Sequence, residues 1–547
     1  AGQVKAVSER LAGENPGMDV EIKSFFGGNQ YFAFVIEVFR DVRLVGAPPT
    51  SIGKFGGDTD NWMWPRHTGD FSVFRVYAGP DNRPADYSPE NRPYKAEKFL
   101  KISLGGYDEG DFAMIMGFPG STQRYMTSYE IDRLLEVENP QRIFIRGERQ
   151  VILKEDMAAS AKVRIQYASK YAQSSNYWKN SIGKSRGIRR LDVKGRKQEQ
   201  EAAFTAWAAK NTLPTEGYSN ALNLIRESVE ETAPYFASSQ YLSEAIGRSV
   251  EILAPARLAV SKKGGELTEA LKAFYKDYNM PTDRRVAKRM FRIVGENCKE
   301  LPSVFAEVIG KRFGGDTDAY VDYLYDNSVF ADERKALAAA AAGTDVSNDP
   351  AVLLNKSYTA KMRELVAAQL AGKRKFADGQ RLYIAGLMRM QPNKAWASDA
   401  NFTLRLTYGR VLPYDPADGI HYNYYTTLKG VMEKENPQNP TEFTVPARLK
   451  ELYAAKDFGR YANERGELPV AFLADCDITG GNSGSPVLNA KGALLGLAFD
   501  GNWEAMSGDV AFEPELQRTI AVDVRYVLFV IDKFAGAGWL LDELQFE

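Results

Sequence analysis

Hydrophobic residues in this sequence change their spacing twice, and that change restricts the folds open to it. From Asp19 to about Gly120 the apolar residues alternate, as in Phe32, Phe34, Ile36 and Val38, and then in FSVFRVY and DFAMIMGF. Turn clusters (GGN, GAPP, GPDNRP) separate these short strands. From about Ser121 to Ala400 the spacing becomes helical: Leu222, Ile225 and Val229 share a face, as do Leu242, Ile246 and Val250, and Met362, Leu365, Val366 and Leu370. The alanine-rich DERKALAAAAAG should end at Gly343, with TDVSNDP as a linker. Strands return after Phe402 with Leu404, Leu406 and Tyr408, then LPVAFLA, SPVLNAKGALLGLAFDG and RTIAVDVRYVLFVI. No fixed repeat is present, which argues against a solenoid. The expected organisation is a first β part over 1–120, an all-α insertion over 121–400 and a second β part over 401–547.

Charge excludes some partners. Lys and Arg number 70 against 71 Asp and Glu, a formal net charge of -1, so nothing electrostatic favours nucleic acid or an anionic membrane. The basic run from Lys179 to Lys197 reads as a solvated helix face or loop. Cys298 and Cys476 build neither a disulfide framework nor a zinc site, and no metal is expected. No apolar run reaches the ~18 residues that cross a bilayer, so no membrane span is expected and the chain reads as soluble. AGQVKAVSERLAGENPG reads as an amphipathic helix with a Gly/Pro stop rather than as a signal peptide; such a start is that of a fragment or a processed chain.

Chemistry concentrates in two places. The first is Thr479-Gly480-Gly481-Asn482-Ser483-Gly484-Ser485-Pro486, with a hairpin after it. A serine hydroxyl attacks a carbonyl when it projects from a rigid turn whose amides meet the developing oxyanion. Gly481 and Gly484 permit that turn, and the amides of Gly481 and Ser483 are the expected oxyanion donors. Gly-x-Ser-Gly-x-Pro is the pattern of chymotrypsin-like peptidases. Asn482 stands where zymogen-type members carry an Asp that clasps a newly cut N-terminus, and a neutral amide forms no such ion pair.

The second is FGGDTDNWMWPRHTGDF, residues 55–71. Asp70, where a turn meets a strand, suits the acid that orients a catalytic histidine. His67 and His421 are the chain's two histidines. In an extended segment His67 and Asp70 face opposite ways, and His421 lies far from both motifs in sequence. The chain order His, Asp, Ser of this peptidase class places the base before Asp70, upstream of Ala1.

Together the two motifs resemble one family, the bacterial dipeptidyl-peptidases VII and XI, over essentially the whole chain. The resemblance implies a chymotrypsin-like double β-barrel interrupted by a large all-α insertion domain that caps the cleft. It implies a serine exopeptidase that releases dipeptides from free N-termini of oligopeptides through an acyl-enzyme. Asp70 and Ser483 match the catalytic pair, and the family's histidine lies in an N-terminal segment without a counterpart here. Asn61, Trp62 and Arg66 match residues lining the bound amine, Asn176 matches an asparagine reaching it from the insertion, and Asp500 matches the acid that pairs with it. Type XI members, which cut after acidic residues, carry arginine after that acid; Gly501 stands there in this chain and implies type VII, with a hydrophobic P1. The family also implies no cofactor, a homodimer, and a periplasmic or cell-surface location in a Gram-negative bacterium. Two other readings are a chymotrypsin-like endopeptidase whose insertion only modulates access, and a catalytically silent peptide-binding protein.

Overall fold

A computed structural model describes residues 2–547. The chain forms two compact units, one of residues 1–125 with 392–547, the other of residues 126–391.

In the first unit the strands are β1 (Asp19–Phe25), β2 (Gln30–Ile36), β3 (Asp41–Gly46), β4 (Val73–Ala78), β5 (Arg92–Pro93) and β6 (Phe112–Gly117), then β7 (Arg405–Arg410), β8 (Tyr414–Ala417), β9 (Ile420–Tyr422), β10 (Tyr425–Thr427), β11 (Pro469–Ala474), β12 (Pro486–Leu488), β13 (Leu494–Gly501) and β14 (Thr519–Asp523). The main sheet has seven strands in the order β10-β11-β14-β13-β12-β6-β7. β6 precedes the helical stretch and β7 follows it, yet they pair along their full length, from Phe112 opposite Arg410 to Gly117 opposite Arg405. The backbone therefore leaves this sheet and re-enters it at neighbouring positions, the geometry that lets a long insertion sit in a loop.

β11 and β14 are buried at every residue, which fits their near-continuous apolar sequences. Leu449, Leu468, Val470, Val522, Tyr526 and Phe529 pack on one side, and Ala113, Ile115, Val411, Phe472, Val487 and Ala498 form a second cluster. Each large side chain so buried is worth about 1.5–3 kcal/mol of transfer free energy. This core is the platform under the loops described below.

The expected pair of closed barrels is not what the ladders form. β1 and β2 pair only with each other, β3, β4 and β5 make a separate small sheet, and β6 joins the strands of the C-terminal part. The main sheet touches itself through a single bridge, Val411 to Ala474, supported by Asp475 N–H donating to Arg410 O (3.0 Å). The coarser class, β structure combined with a large helical part, stands.

Alternation located the strand of Leu406 and Tyr408; these side chains are 58% and 71% exposed, so this apolar set on β7 faces outward.

The second unit is helical from Ser128 to Met390. Ile246, Leu271, Phe291 and Leu324 lie in its core. Asp283 is enclosed there and accepts hydrogen bonds from Tyr325 Oη (2.6 Å), Tyr278 Oη (3.2 Å) and the amides of Glu251 (2.7 Å) and Ile252 (2.9 Å). Burial, then the nearby Glu251, holds its carboxyl above the ordinary range. The helix Glu333–Ala342 ends at Gly343 in the left-handed region (φ 63°), where glycine costs least. Among the described residues no helix is long and apolar enough to cross a membrane.

Candidate active site

The turn before β12 is rigid for local reasons. Gly481 (φ 107°) and Gly484 (φ 86°) occupy backbone conformations that side-chain-bearing residues rarely adopt. A Cβ at position 481 would lie 2.4 Å from Phe118 O. Asn482 N–H donates to Thr479 O (3.1 Å), Gly484 N–H to Ala498 O (2.7 Å) and Ser485 N–H to Asn482 O (2.9 Å). Within Gly481–Ser485 the amides of Gly481 and Ser483 are the two that donate to no protein acceptor among the described residues. They are the pair assigned to the oxyanion from the sequence. Asn482 is buried and donates through Nδ2 to Thr479 O (3.2 Å), so its amide stiffens the turn. Ser483 itself is exposed.

The hairpin after the turn ties the residues next to Ser483 to β13, the strand that carries Asp500. Pro486 pairs with Leu497, and Ala498 N–H donates to Ser485 O (2.9 Å). Gly484 N–H also donates to Ala498 O (2.7 Å), so Gly484 and Ser485 both stand opposite Ala498, which precedes Asp500 by two residues on β13. Between Ala498 and Asp500 the β13–β14 register shifts, a bulge at Phe499 of the kind that re-aims a side chain.

Asp500 points into the 60–66 loop. Its Oδ2 accepts from Arg66 Nη1 (2.6 Å) and from Trp62 N–H (3.0 Å), and its Oδ1 accepts from Gly501 N–H (2.9 Å). The Arg66 and Asp500 side chains are 8% and 9% exposed, so this ion pair is shielded from water. Arg66 also donates to Thr68 Oγ1 (2.7 Å) and Asp60 O (2.9 Å), and its guanidinium lies 5.0 Å over the Phe499 ring. The family resemblance implies that Arg66 lines a bound amine; in the fold it is the fixed counter-ion of Asp500. Trp62 has φ 65°, an unfavourable region for a tryptophan, and its N–H bond to Asp500 helps to hold it there. Asn61 is half-buried beside it, and its N–H donates to Asp58 O (3.3 Å).

Asp70 follows this loop just before β4. It is exposed overall, yet its carboxyl is desolvated enough to lie above the ordinary range, with Arg66 pulling it down and Asp500 pushing it up. Asp70, Arg66 and Asp500 therefore share one electrostatic neighbourhood. Neither histidine hydrogen-bonds to Asp70 or Ser483 among the described residues. His67 is buried; Gly430 packs so tightly against it that a Cβ there would lie 2.0 Å from His67 Nε2. Desolvation, then Lys434, lowers its pKa to about 3, so it stays neutral. His421 bonds Asp415 Oδ1 through Nδ1 (2.7 Å) on the exposed β8–β9 hairpin.

Gly501 is buried, and a Cβ there would meet Ala505 Cβ at 3.0 Å and Trp62 Cζ3 at 3.6 Å. Asn176 belongs to the helical unit, half-buried in the middle of the helix Ala161–Arg190.

Sequence reasoning missed two residues behind the loop. Lys434 Nζ donates to Asp60 Oδ2 (2.8 Å) and Pro65 O (2.8 Å), and Glu442 accepts from Asp58 N–H (2.8 Å) and Thr59 Oγ1 (2.6 Å). They lie 369 to 384 positions from their partners along the chain, in a stretch with no motif, so no local pattern marks them.

Comparison with known proteins gives the family. The chain is 49% identical over 537 residues to dipeptidyl-peptidase 7 of Porphyromonas gingivalis, covering 96% of this chain and 75% of that protein. It is 43% identical over 561 residues to the Asp/Glu-specific dipeptidyl-peptidase of the same organism, covering 99% and 77%. The crystal structure of Porphyromonas endodontalis DPP11 in complex with the dipeptide Arg-Glu superposes with a TM-score of 0.90 at 39% identity, covering 99% of this chain and 80% of that one. The peptidase S46 family pattern runs through residues 1–546, both motif loops included, and the chain belongs to that family.

Proposed function

We propose that this protein is a serine exopeptidase that removes dipeptides from free N-termini, with an apolar residue at P1. The observation that carries the reading is the presence of two features on one hairpin. One is a serine turn with two unused amides; the other is a shielded carboxylate whose Oδ1 retains acceptor capacity. A peptide ammonium held at Asp500 presents its second carbonyl to Ser483 and to the Gly481 and Ser483 amides. A charge-assisted hydrogen bond of this kind contributes roughly 1.5–3 kcal/mol. It also offsets the mutual repulsion of Asp70 and Asp500.

In the reaction Ser483 attacks that carbonyl, an imidazole takes its proton, and the two amides hold the oxyanion. Collapse expels the shortened peptide, which takes the proton back, and water then releases the dipeptide from the acyl-enzyme. Asp70 orients the imidazole, which family order places upstream of it. Dipeptide release is the activity named for the relatives, dipeptidyl-peptidase 7 among them. The apolar P1 preference is supported by Gly501, which brings no cation beside Ala505 and Trp62. The reading includes the homodimer and the periplasmic or cell-surface location that the family resemblance implies.

The test is a series of free-amine dipeptidyl fluorogenic amides, with Ser483 labelling by a fluorophosphonate as a check on the nucleophile. Leu or Phe at P1 should exceed Asp or Glu in kcat/KM by at least about tenfold. A preference for Asp or Glu would overturn the apolar assignment, and failure to label Ser483 would overturn the nucleophile.

A further inference from the structure

The amine site stands on a loop with few resources of its own. Residues 55–66 contain no strand and no regular helix, and they carry Asn61, the unfavourable Trp62 backbone and the Arg66 that fixes Asp500. Such a loop keeps its geometry only where other parts of the molecule over-determine it.

Two side chains from the segment after the helix Leu428–Glu433 meet that need. Glu442 presents both carboxylate oxygens to the loop. Oε1 accepts Asp58 N–H (2.8 Å), and Oε2 accepts Thr59 Oγ1 (2.6 Å) as well as Asn439 Nδ2 (2.9 Å). Its main-chain oxygen accepts Gly56 N–H (2.8 Å). The fit is tight: a Cβ at Gly57 (φ 47°) would lie 2.6 Å from Glu442 Cγ and Oε1. Lys434 bonds both ends of the next stretch, Asp60 Oδ2 and Pro65 O. Asp60 is packed so closely on Gly56 that a Cβ there would lie 2.3 Å from its Oδ2. Asp60 O in turn receives the Arg66 guanidinium that reaches Asp500.

From this geometry we infer that Glu442, with Lys434 behind it, is a positioning residue for the free-amine subsite. Its carboxylate bonds go to Asp58, Thr59 and Asn439 rather than to Asp500 or Ser483. It fixes Asp58 and Thr59, hence the Asn61–Trp62 backbone, and Lys434 fixes the Asp60 and Pro65 ends of the Arg66 bracket. Loss of the Glu442 carboxylate frees the loop that aims Trp62 N–H and Arg66 at Asp500. The Ser483 turn, braced by Thr479, Ala498 and its own glycines, is left as it was. The inference rests on the reading of Asp500 as the amine site.

The experiment uses Glu442→Ala and Glu442→Gln in the intact protein, with a free-amine dipeptidyl fluorogenic substrate, its N-acetylated twin and a small fluorophosphonate. The parent protein must first prefer the free amine; equal rates for both substrates would overturn the amine site and this inference with it. Given that preference, Glu442→Ala should raise KM about tenfold with kcat changed less than about threefold, since uniform binding is what is lost. Fluorophosphonate should label Ser483 at the parent rate, and Glu442→Gln, which retains one acceptor oxygen and the shape, should recover most of KM. A parent-like KM in Glu442→Ala would overturn the positioning role while leaving the amine site intact. A joint fall of kcat, labelling rate and Tm would assign Glu442 to general stability and overturn it too.

Discussion

The two loops that make this site are built in opposite ways. The turn 479–485 is fixed largely by its own residues: two glycines at positive φ, three backbone hydrogen bonds and the adjoining hairpin hold it, with Gly120 N–H donating to Gly480 O (2.7 Å) from outside. The loop 55–70 is assembled from outside. Asp500, Lys434 and Glu442, all hundreds of residues away, hold it through side chains. The reacting group thus sits on the part that tolerates least internal change. The part that selects a substrate sits on a loop whose shape depends on remote partners, so its tuning can change without disturbing the nucleophile.

The sharpest way to separate the two is at the turn. Ser483→Ala should lower kcat/KM for a free-amine dipeptidyl substrate by at least about 10⁴-fold, with Tm unchanged, because an exposed hydroxyl carries no packing. Residual activity near the parent's would remove the nucleophile assignment. On the loop, Arg66→Met should cost about 3–5 kcal/mol of stability in denaturant unfolding, since it strands Asp500 in a shielded site. An undiminished midpoint would mean that the ion pair does not hold the loop.

Gly481→Ala probes the local side of the contrast. The added methyl collides with Phe118 O, so the turn must shift its amides, and kcat should fall about 10²–10³-fold as it does when an oxyanion donor is lost. The smallest effect concerns His67. Its folded pKa of about 3 lies below the ordinary ~6.5, so the unfolded chain binds the extra proton between those values. Its contribution is present above pH 6.5 and is lost as pH falls toward 3. His67→Gln should therefore flatten the decline of Tm across that window, whereas an unchanged slope would mean that His67 is not held neutral.

The same contrast explains what the sequence could disclose. The serine turn was legible because its constraints are local: Gly481, Ser483, Gly484 and the following hairpin are contiguous. Gly343 closing an alanine-rich helix was legible for the same reason. The Arg66–Asp500 pair was half-legible. Both residues stand in recognisable motifs, but their mutual bond depends on a bulge at Phe499 and a loop that meet only in the fold. Glu442 and Lys434 were invisible, because nothing in NPTEF or in the residues before it points to residues 58–65. Strand pairing was legible only in part. Alternation marks Leu406 and Tyr408 as strand residues, but it does not say which face is covered, and that face proved exposed. Nor does it reveal that β6 would leave the first β part to pair with β7 and β12.

The claim most in need of direct test is that the fixed amine sets the cutting register. Mass spectrometry of products from one apolar-rich oligopeptide and its N-acetylated twin measures this. The account predicts successive release of N-terminal dipeptides from the unblocked peptide and an intact acetylated peptide. Internal fragments appearing at equal rates from both would contradict it.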